Sequence, residues 1–442
     1  MTPPRFVPFA RLRPIALVAE PVQTTSDGPC PQPAPSAALV ASGITGRVTI
    51  RWSSGADHLA ASYADGLVTV AVTTAGRTST HRSRRHGRVD STPDQLALTL
   101  TGTHLTALTR ANGAWTARAR IDLADRIDTR DESWLAGLAV SHSGRVDRVE
   151  AGGFGQLGLR DLRVVSHADG TPYLLEGRAV LSATSAGPGF FDTAHTSVWT
   201  LDPETLALEH RSDLFFRRPD RPGVYGDHAT HLVRDPSTGS GQARWLVATS
   251  TWGDFDPNRR GASVGVTLAH TDADLLAGRH VLDTEPLALP TDGFASVGVW
   301  DPHLVRTDDE WLVGYVSARR FFRFHPVLAG GPSLDRLTLR GVDARRRATE
   351  GTTLARLDGA WRVLASDGRD GRRGQRERYP VFDLAMNELG AIEAPYPTNI
   401  PWPTLLPVGD RLLLVGFDGT RAGGELLGYG THGDVVIAEG AG

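Results

Sequence analysis

The chain is predicted to be all-β: a five-bladed β-propeller preceded by an antiparallel β-sandwich of the jelly-roll or lectin type. Three observations in the 442 residues predict it. Four stretches, and a shorter fifth, repeat one local pattern of a polar or acidic residue, an apolar strand, a turn and a second apolar strand. Such units, spaced by about 50–75 residues, are the mark of blades around an axis. Forty-nine glycines and 28 prolines supply turn punctuation for many short strands. Finally, residues 44–150 alternate apolar and polar side chains, as a half-buried antiparallel sheet requires.

Residues 1–43 are rich in Pro, Ala, Ser and Thr with weak periodicity, and read as a tail or an edge strand docking elsewhere. From 44 to 150, Val48-Thr-Ile-Arg-Trp, Leu67-Val-Thr-Val-Ala-Val, Leu96-Ala-Leu-Thr-Leu and Leu105-Thr-Ala-Leu-Thr are short alternating strands. They carry no chemical cluster, so this domain reads as a structural accessory, with a carbohydrate-binding module as the alternative. Gly152-Gly-Phe-Gly-Gln-Leu-Gly reads as a link into the propeller of residues 151–442. It is not a phosphate cradle, because no helical stretch follows it. Thr271-Asp-Ala-Asp-Leu-Leu-Ala-Gly predicts one short helical turn.

Composition narrows the function. A net charge of -3 gives no reason to expect nucleic acid or an anionic membrane as partner. All 47 basic residues are arginine, which excludes a Schiff-base lysine or a P-loop lysine. Cys30 is the single cysteine, so intramolecular disulfides and cysteine metal clusters are impossible. The start has no clear export signal and no segment long enough to span a bilayer, so a cytoplasmic location is the expectation.

The repeats begin Arg160-Asp-Leu-Arg-Val-Val, Ala229-Thr-His-Leu-Val-Arg, Trp300-Asp-Pro-His-Leu-Val-Arg, Glu350-Gly-Thr-Thr-Leu-Ala-Arg and Trp402-Pro-Thr-Leu-Leu. Aligned on their apolar pairs, Asp161, Ala229, Asp301 and Trp402 share a column, and Glu350 stands one position before it. Asp227 lies two residues upstream of Ala229. One such acid is ordinarily a turn carboxylate capping backbone N–H groups. Three in near-equivalent slots point to acid–base chemistry at a shared pocket. Glycosidic hydrolysis needs one protonated and one ionised carboxyl, and a third nearby raises the pKa of the acid.

At these residues the chain resembles the five-bladed propeller glycosidases, glycoside hydrolase family 43 and relatives of the clan shared with family 32. The resemblance rests on Asp161, on Trp300-Asp301-Pro302 and on Glu350-Gly351-Thr352, and spans about residues 151–442. It implies Asp161 as base, Asp301 as pKa modulator and Glu350 as general acid, with inversion if the carboxyls lie roughly 6.5–9.5 Å apart. It also implies that no cofactor is required, with a structural calcium on the axis possible near His231 and His303.

Other residues are candidates for holding substrate. Asp227, His228 and His195 can bond sugar hydroxyls. Asp192 can reach the cavity rim with His195. Trp252, Trp300, Phe321, Phe322 and Trp402 can stack on sugar faces. Arg319 can grip a polar group. Trp245, Trp311 and Trp361, recurring at one second-strand position, read as inter-blade core, and the run from Arg369 to Arg378 as a surface hairpin. The expected function is an inverting hydrolase of a furanoside or small oligosaccharide. The alternatives are a glycan-binding propeller without catalysis, or a biosynthetic enzyme using the same pocket for elimination, transfer or cyclisation.

Overall fold

The computed structural model describes residues 5–19, 23–24, 27–235, 244–321, 323–368, 378–394, 402–419 and 433–441. Five antiparallel sheets surround an axis. Blade one comprises Leu159–Val164, Arg178–Ser185, His195–Leu201 and Leu208–Arg218, blade two His228–Asp235, Arg244–Ser250, Val266–Thr271 and Glu285–Pro286. Blade three is Gly298–Arg306, Trp311–Arg320, Arg323–Gly331 and Thr338–Val342, and blade four Thr353–Leu357, Ala360–Leu364, Arg378–Phe382 and Glu388–Glu393. Each sequence repeat is the inner hairpin of one blade. Trp245 and Trp311 are buried and Trp361 half-buried, each packed against apolar side chains of the preceding blade.

Blade five has two origins. Thr404–Val408, Arg411–Asp418 and Asp434–Ala441 come from the C-terminal part, and the fourth strand is Arg5–Leu12. The first strand of the chain thus closes the ring. Arg11 Nη1 reaches Asp418 and Asp434 at 2.9 Å each, and Arg13 Nε reaches Asp434 at 2.8 Å. Burial opposes charge on Asp434, yet its bonds to Arg13 and Arg11 overrule this and hold the carboxyl below its usual range.

The sandwich pairs a seven-stranded sheet, centred on Gln95–Thr101, Ser36–Ser42 and Arg148–Gln156, with a six-stranded sheet built on Thr45–Ser54, Asp57–Ala64 and Leu67–Thr74. Trp52, Leu39, Leu98 and Val70 fill the space between them. Both ends of this sandwich lie outside 44–150. Ser36–Ser42 is a central strand buried on both faces, so it lacks the alternation that marks its neighbours. The glycine-rich link is itself a strand, Arg148–Gln156. Its glycines are small for a reason: a Cβ at Gly153 would meet the Arg279 guanidinium at 2.6 Å, and one at Gly155 the Ala16 carbonyl at 2.6 Å.

The helical turn expected after Thr271 is a non-helical turn. Among the described residues the α-helix is Glu132–Ala136, capped by Asp131, whose carboxylate accepts from Trp134 N. None is long and apolar enough to cross a membrane. Phe322 and residues 369–377 lie outside the described residues.

Replacing Arg11 and Arg13 together by Ala leaves the buried Asp434 carboxylate unpaired. Thermal or denaturant melts at pH 7 are expected to show a loss of about 1–3 kcal/mol. Because the folded pKa of Asp434 is depressed, the gap to wild type is full above the ordinary carboxylate range. It closes as pH falls through the folded value.

Candidate active site

The aligned column of the sequence is one structural position. Asp161, Ala229 and Asp301 all have left-handed backbone, with φ of 51°, 61° and 57°. Each sits at a register shift where its inner strand begins, between Arg160 and Arg163, His228 and His231, and Trp300 and His303. In blade four the same position is Gly351, with φ of 64°. Asp tolerates this conformation and Gly is free in it, whereas Ala229 is strained. A bulge of this kind re-aims the flanking side chains. At Gly351 a Cβ would also meet Trp402 Cγ at 2.4 Å, so Glu350 is followed by Gly on two grounds.

The three carboxylates lie within one electrostatic neighbourhood. Gly351 N donates to Asp301 Oδ2 at 3.3 Å, joining blades three and four directly beside Glu350. Burial, then the charges of Glu350 and Asp161, push the Asp301 carboxyl well above its usual range. Burial and then Asp161 push Glu350 up to about 8, against the opposing charge of Arg160. The Trp300 indole N–H lies near enough to favour the Glu350 anion without completing a hydrogen bond. Glu350 keeps partial solvent access, while Asp301 is 3% exposed. His228 belongs to this group. Its Nδ1 donates to Gly226 O at 3.0 Å, and burial lowers its pKa to about 4, so at neutral pH its Nε2 is an acceptor.

Two residues deeper, the repeats contribute Arg163, His231, His303, Thr353 and Thr404. The rings of His231 and His303 stack at 4.2 Å. Their Nδ1 atoms accept the main-chain N–H of the next blade, from Leu304 at 3.0 Å and Leu354 at 3.2 Å. Arg163 donates to Thr353 Oγ1 at 2.7 Å, Thr352 O at 3.0 Å and Asp301 O at 3.2 Å. Its guanidinium lies 4.2 Å over the Trp402 ring. Thr404 Oγ1 donates to Leu162 O at 2.5 Å, tying blade five to blade one. His231 and His303, considered as possible neighbours of an axial calcium, are thus hydrogen-bonded histidines of the axis. Their Nδ1 atoms brace neighbouring blades, and a guanidinium at the same level repels a calcium ion. Among the described residues no group of three His, Cys, Asp or Glu side chains is arranged to hold a metal.

Other expected substrate contacts are engaged elsewhere. Asp227 is fully buried, bonded by both Arg218 Nε (2.7 Å) and Nη2 and by Gly253 N (2.9 Å), so it is a structural ion pair. His195 is 1% exposed and its Nε2 lies 3.1 Å from Asp213 Oδ1, between Phe215 and Phe154, away from the rim. Trp252, Trp300 and Trp402 are 7%, 2% and 1% exposed. They form the wall of the pocket, Trp252 and Trp300 edge to face at 5.2 Å, and offer no open stacking face. Phe321 stacks on Trp300 at 6.4 Å, and Arg319 is exposed at the neighbouring hairpin end. Asp192 pairs with His104 of the sandwich at 2.8 Å.

Sequence reasoning passed over Arg160 and Arg163, the cations of the site. The signal was their place in the repeat: Arg163 occupies the column of His231 and His303, and Arg160 that of Trp300 and Glu350.

No family model and no curated protein matches the chain. Among solved structures it is similar to an inulosucrase from Halalkalicoccus jeotgali bound to kestose, at 14% identity and a TM-score of 0.46, over 61% of this chain and 78% of that one. It is also similar to the GH43_1 enzyme from Xanthomonas citri complexed with xylotriose, at 14% identity and a TM-score of 0.42, over 64% and 86%. A levansucrase from Bacillus subtilis gives 10% identity and a TM-score of 0.43, over 64% and 86%.

Glu350→Gln is expected to stabilise the fold at alkaline pH. The folded pKa is raised, so the native state is favoured by protonation and loses that contribution as pH climbs from the free-carboxyl range through about 8. Melting temperatures of the variant and wild type should agree near pH 4 and diverge, variant higher, toward pH 9. Equal temperatures across the range would mean that Glu350 is solvated.

Proposed function

We propose that the protein is a glycoside hydrolase that cleaves a furanoside or a small oligosaccharide with inversion. The observation that carries this reading is the meeting of carboxyls from blades one, three and four above a common axis, joined by the Gly351 N bond to Asp301. Bond cleavage needs a proton donor beside an ionised acceptor. Glu350, at about 8, carries a proton at neutral pH and stands as the acid. Asp161, whose charge raises both other carboxyls, stands as the base.

In the proposed reaction Glu350 delivers its proton to the departing glycosidic oxygen as that bond breaks. Asp161 takes a proton from a water whose oxygen attacks the anomeric carbon from the opposite face. The products are a hemiacetal of inverted configuration and an alcohol, and the transferred protons balance. Asp301, held by Gly351 N, is the modulator: burial and the charges of Glu350 and Asp161 hold its carboxyl well above the usual range, and in this reading it bonds a ring hydroxyl. His228 Nε2 accepts a second hydroxyl. No cofactor enters the reaction. The partner is a carbohydrate, and neither nucleic acid nor membrane is part of this reading.

Glu350→Gln and Asp161→Asn should each lower kcat/KM by about 10²–10⁴-fold on whichever of a panel of nitrophenyl furanosides and pyranosides, sucrose and fructo-oligosaccharides is turned over. Proton NMR of the first-formed anomer tests inversion, and retention would make Asp161 a nucleophile. Wild-type activity should fall as pH rises past about 8, where Glu350 loses its proton. Arg160→Met removes a charge that favours the Glu350 anion, so this alkaline limb should move to higher pH. Sugar binding by calorimetry with no turnover of any glycoside would favour the glycan-binding alternative.

A further inference from the structure

The inner strands run from the carboxylates toward the other end of the axis, and a second cavity opens there. It encloses about 320 Å³ between blades one, four and five. Its inner end is formed by Arg163, His303, Thr353 and Thr404, the layer two residues beyond the carboxylate column. Its walls carry apolar side chains that are only partly buried: Ala355, Leu357, Trp361, Leu405 and Leu412. Its mouth lies at the hairpin ends of the blades, where Asp169, Arg356 and Pro407 are exposed. Gly170 lets the blade-one turn close against this wall, since a Cβ there would meet Trp361 Cη2 at 2.7 Å. Arg163 thus has the carboxylates on one side and this cavity on the other.

The inner end holds a surplus of hydrogen-bond donors. Both axial histidines accept a main-chain N–H at Nδ1, so each neutral ring carries its proton on Nε2. The His231 Nε2–H meets Ser166 Oγ at 3.4 Å. Ser166 accepts there, and its own hydroxyl proton is left for the cavity that it lines. The His303 Nε2–H meets no acceptor among the described residues. Arg163 adds a positive charge, and its Nε–H also lacks an acceptor. Thr353 and Thr404 are already engaged: Thr353 Oγ1 accepts from Arg163 and donates to Gly351 O, and Thr404 Oγ1 donates to Leu162 O. The one acid of the lining is Asp169, at the mouth, whose Oδ1 accepts from Thr171 N at 2.9 Å and Thr171 Oγ1 at 2.6 Å. A cation finds no carboxylate at the inner end, whereas an anion finds donors and an opposite charge. Apolar walls leading to a cationic end match a small carboxylate with an apolar body.

We infer that this cavity binds a small organic carboxylate, whose head accepts from His303 Nε2–H and the Ser166 hydroxyl beneath Arg163 and whose apolar body lies between blades four and five. The site is separate from the carboxyl cluster and independent of the hydrolase reading, because it is measured by binding without turnover. An occupant sets a negative charge on the far side of the guanidinium that faces Asp161 and Asp301.

The test uses benzoate, and benzamide as its uncharged counterpart of the same shape, with ligand-observed NMR and calorimetry at pH 7. Wild type is compared with Leu405→Trp, which fills the passage from the mouth, and with Ser166→Ala, which removes one donor. Benzoate should bind wild type saturably, with a Kd on the order of 1 mM. Benzamide should bind about 10-fold more weakly or worse, and Ser166→Ala should weaken benzoate by about 3- to 10-fold. Leu405→Trp should abolish binding while keeping a cooperative melt. Should that variant not fold, Ser166→Ala decides alone. No saturable binding of benzoate by wild type, benzamide bound as tightly as benzoate, or benzoate binding that either folded variant leaves unchanged overturns the site.

Discussion

Three carboxyls can share a water-poor pocket here because a guanidinium lies beneath them. Arg163 is 1% exposed, and burial lowers its pKa to about 9, with Asp301 and Asp161 opposing part of that shift so that it stays charged at neutral pH. The same group donates to main-chain carbonyls at Asp301 and Thr352, to the Thr353 hydroxyl, and covers the face of Trp402. One side chain from blade one thereby fixes blades three, four and five. Removing it would leave buried carbonyls without donors and buried acids without a counter-charge, the two situations that proteins tolerate least. Fold and site are thus coupled at a single residue.

The site was legible in the sequence wherever position in the repeat decided the chemistry. Asp161, Asp301 and Glu350 were found because each blade begins its inner strand alike. That likeness has a physical basis, a left-handed residue at a bulge, which Asp and Gly adopt with little strain. The pairings that silence Asp227 and His195 were not legible. Asp227 meets Arg218 across a strand turn, and Asp213 gathers His210 from its own strand and His195 and Arg279 from neighbouring ones. Nothing in a linear pattern distinguishes an acid aimed at a pocket from one already matched to a guanidinium. The aromatic residues failed similarly: spacing marked them as inner-facing, but a flat ring 1–7% exposed walls a pocket and offers no platform.

The fold followed the same rule. Alternation revealed the strands with one solvated face, such as Leu67–Thr74, and missed Ser36–Ser42, which is buried on both. Arg5–Leu12 contains a proline and only one fully buried side chain, so no pattern announces it. Its place is set by Asp434–Ala441, at the other end of the chain. Ring closure by the first strand also means that the sandwich is inserted, in chain order, between the last-needed strand of blade five and the first strand of blade one.

That insertion ties the two domains mechanically. The chain leaves blade five, builds the sandwich, and re-enters the propeller through Arg148–Gln156, two residues before the strand that carries Asp161. Arg279 of blade one's outer edge reaches Gln32 and the Ser36 carbonyl, and a Cβ at position 153 would crowd its guanidinium. Phe191 and Trp252, which wall the pocket, are backed by loops that Arg130 and His104 grip from the sandwich side. The geometry above the carboxylates is therefore not a property of the propeller alone. A sandwich that merely tethered the chain would not need buried charge at its contact with blade one. Within blade one His195 and His210 offset the burial of Asp213, and Arg279 of the same cluster directs its remaining donors to Gln32 and the Ser36 carbonyl, which fixes the sandwich against the blade.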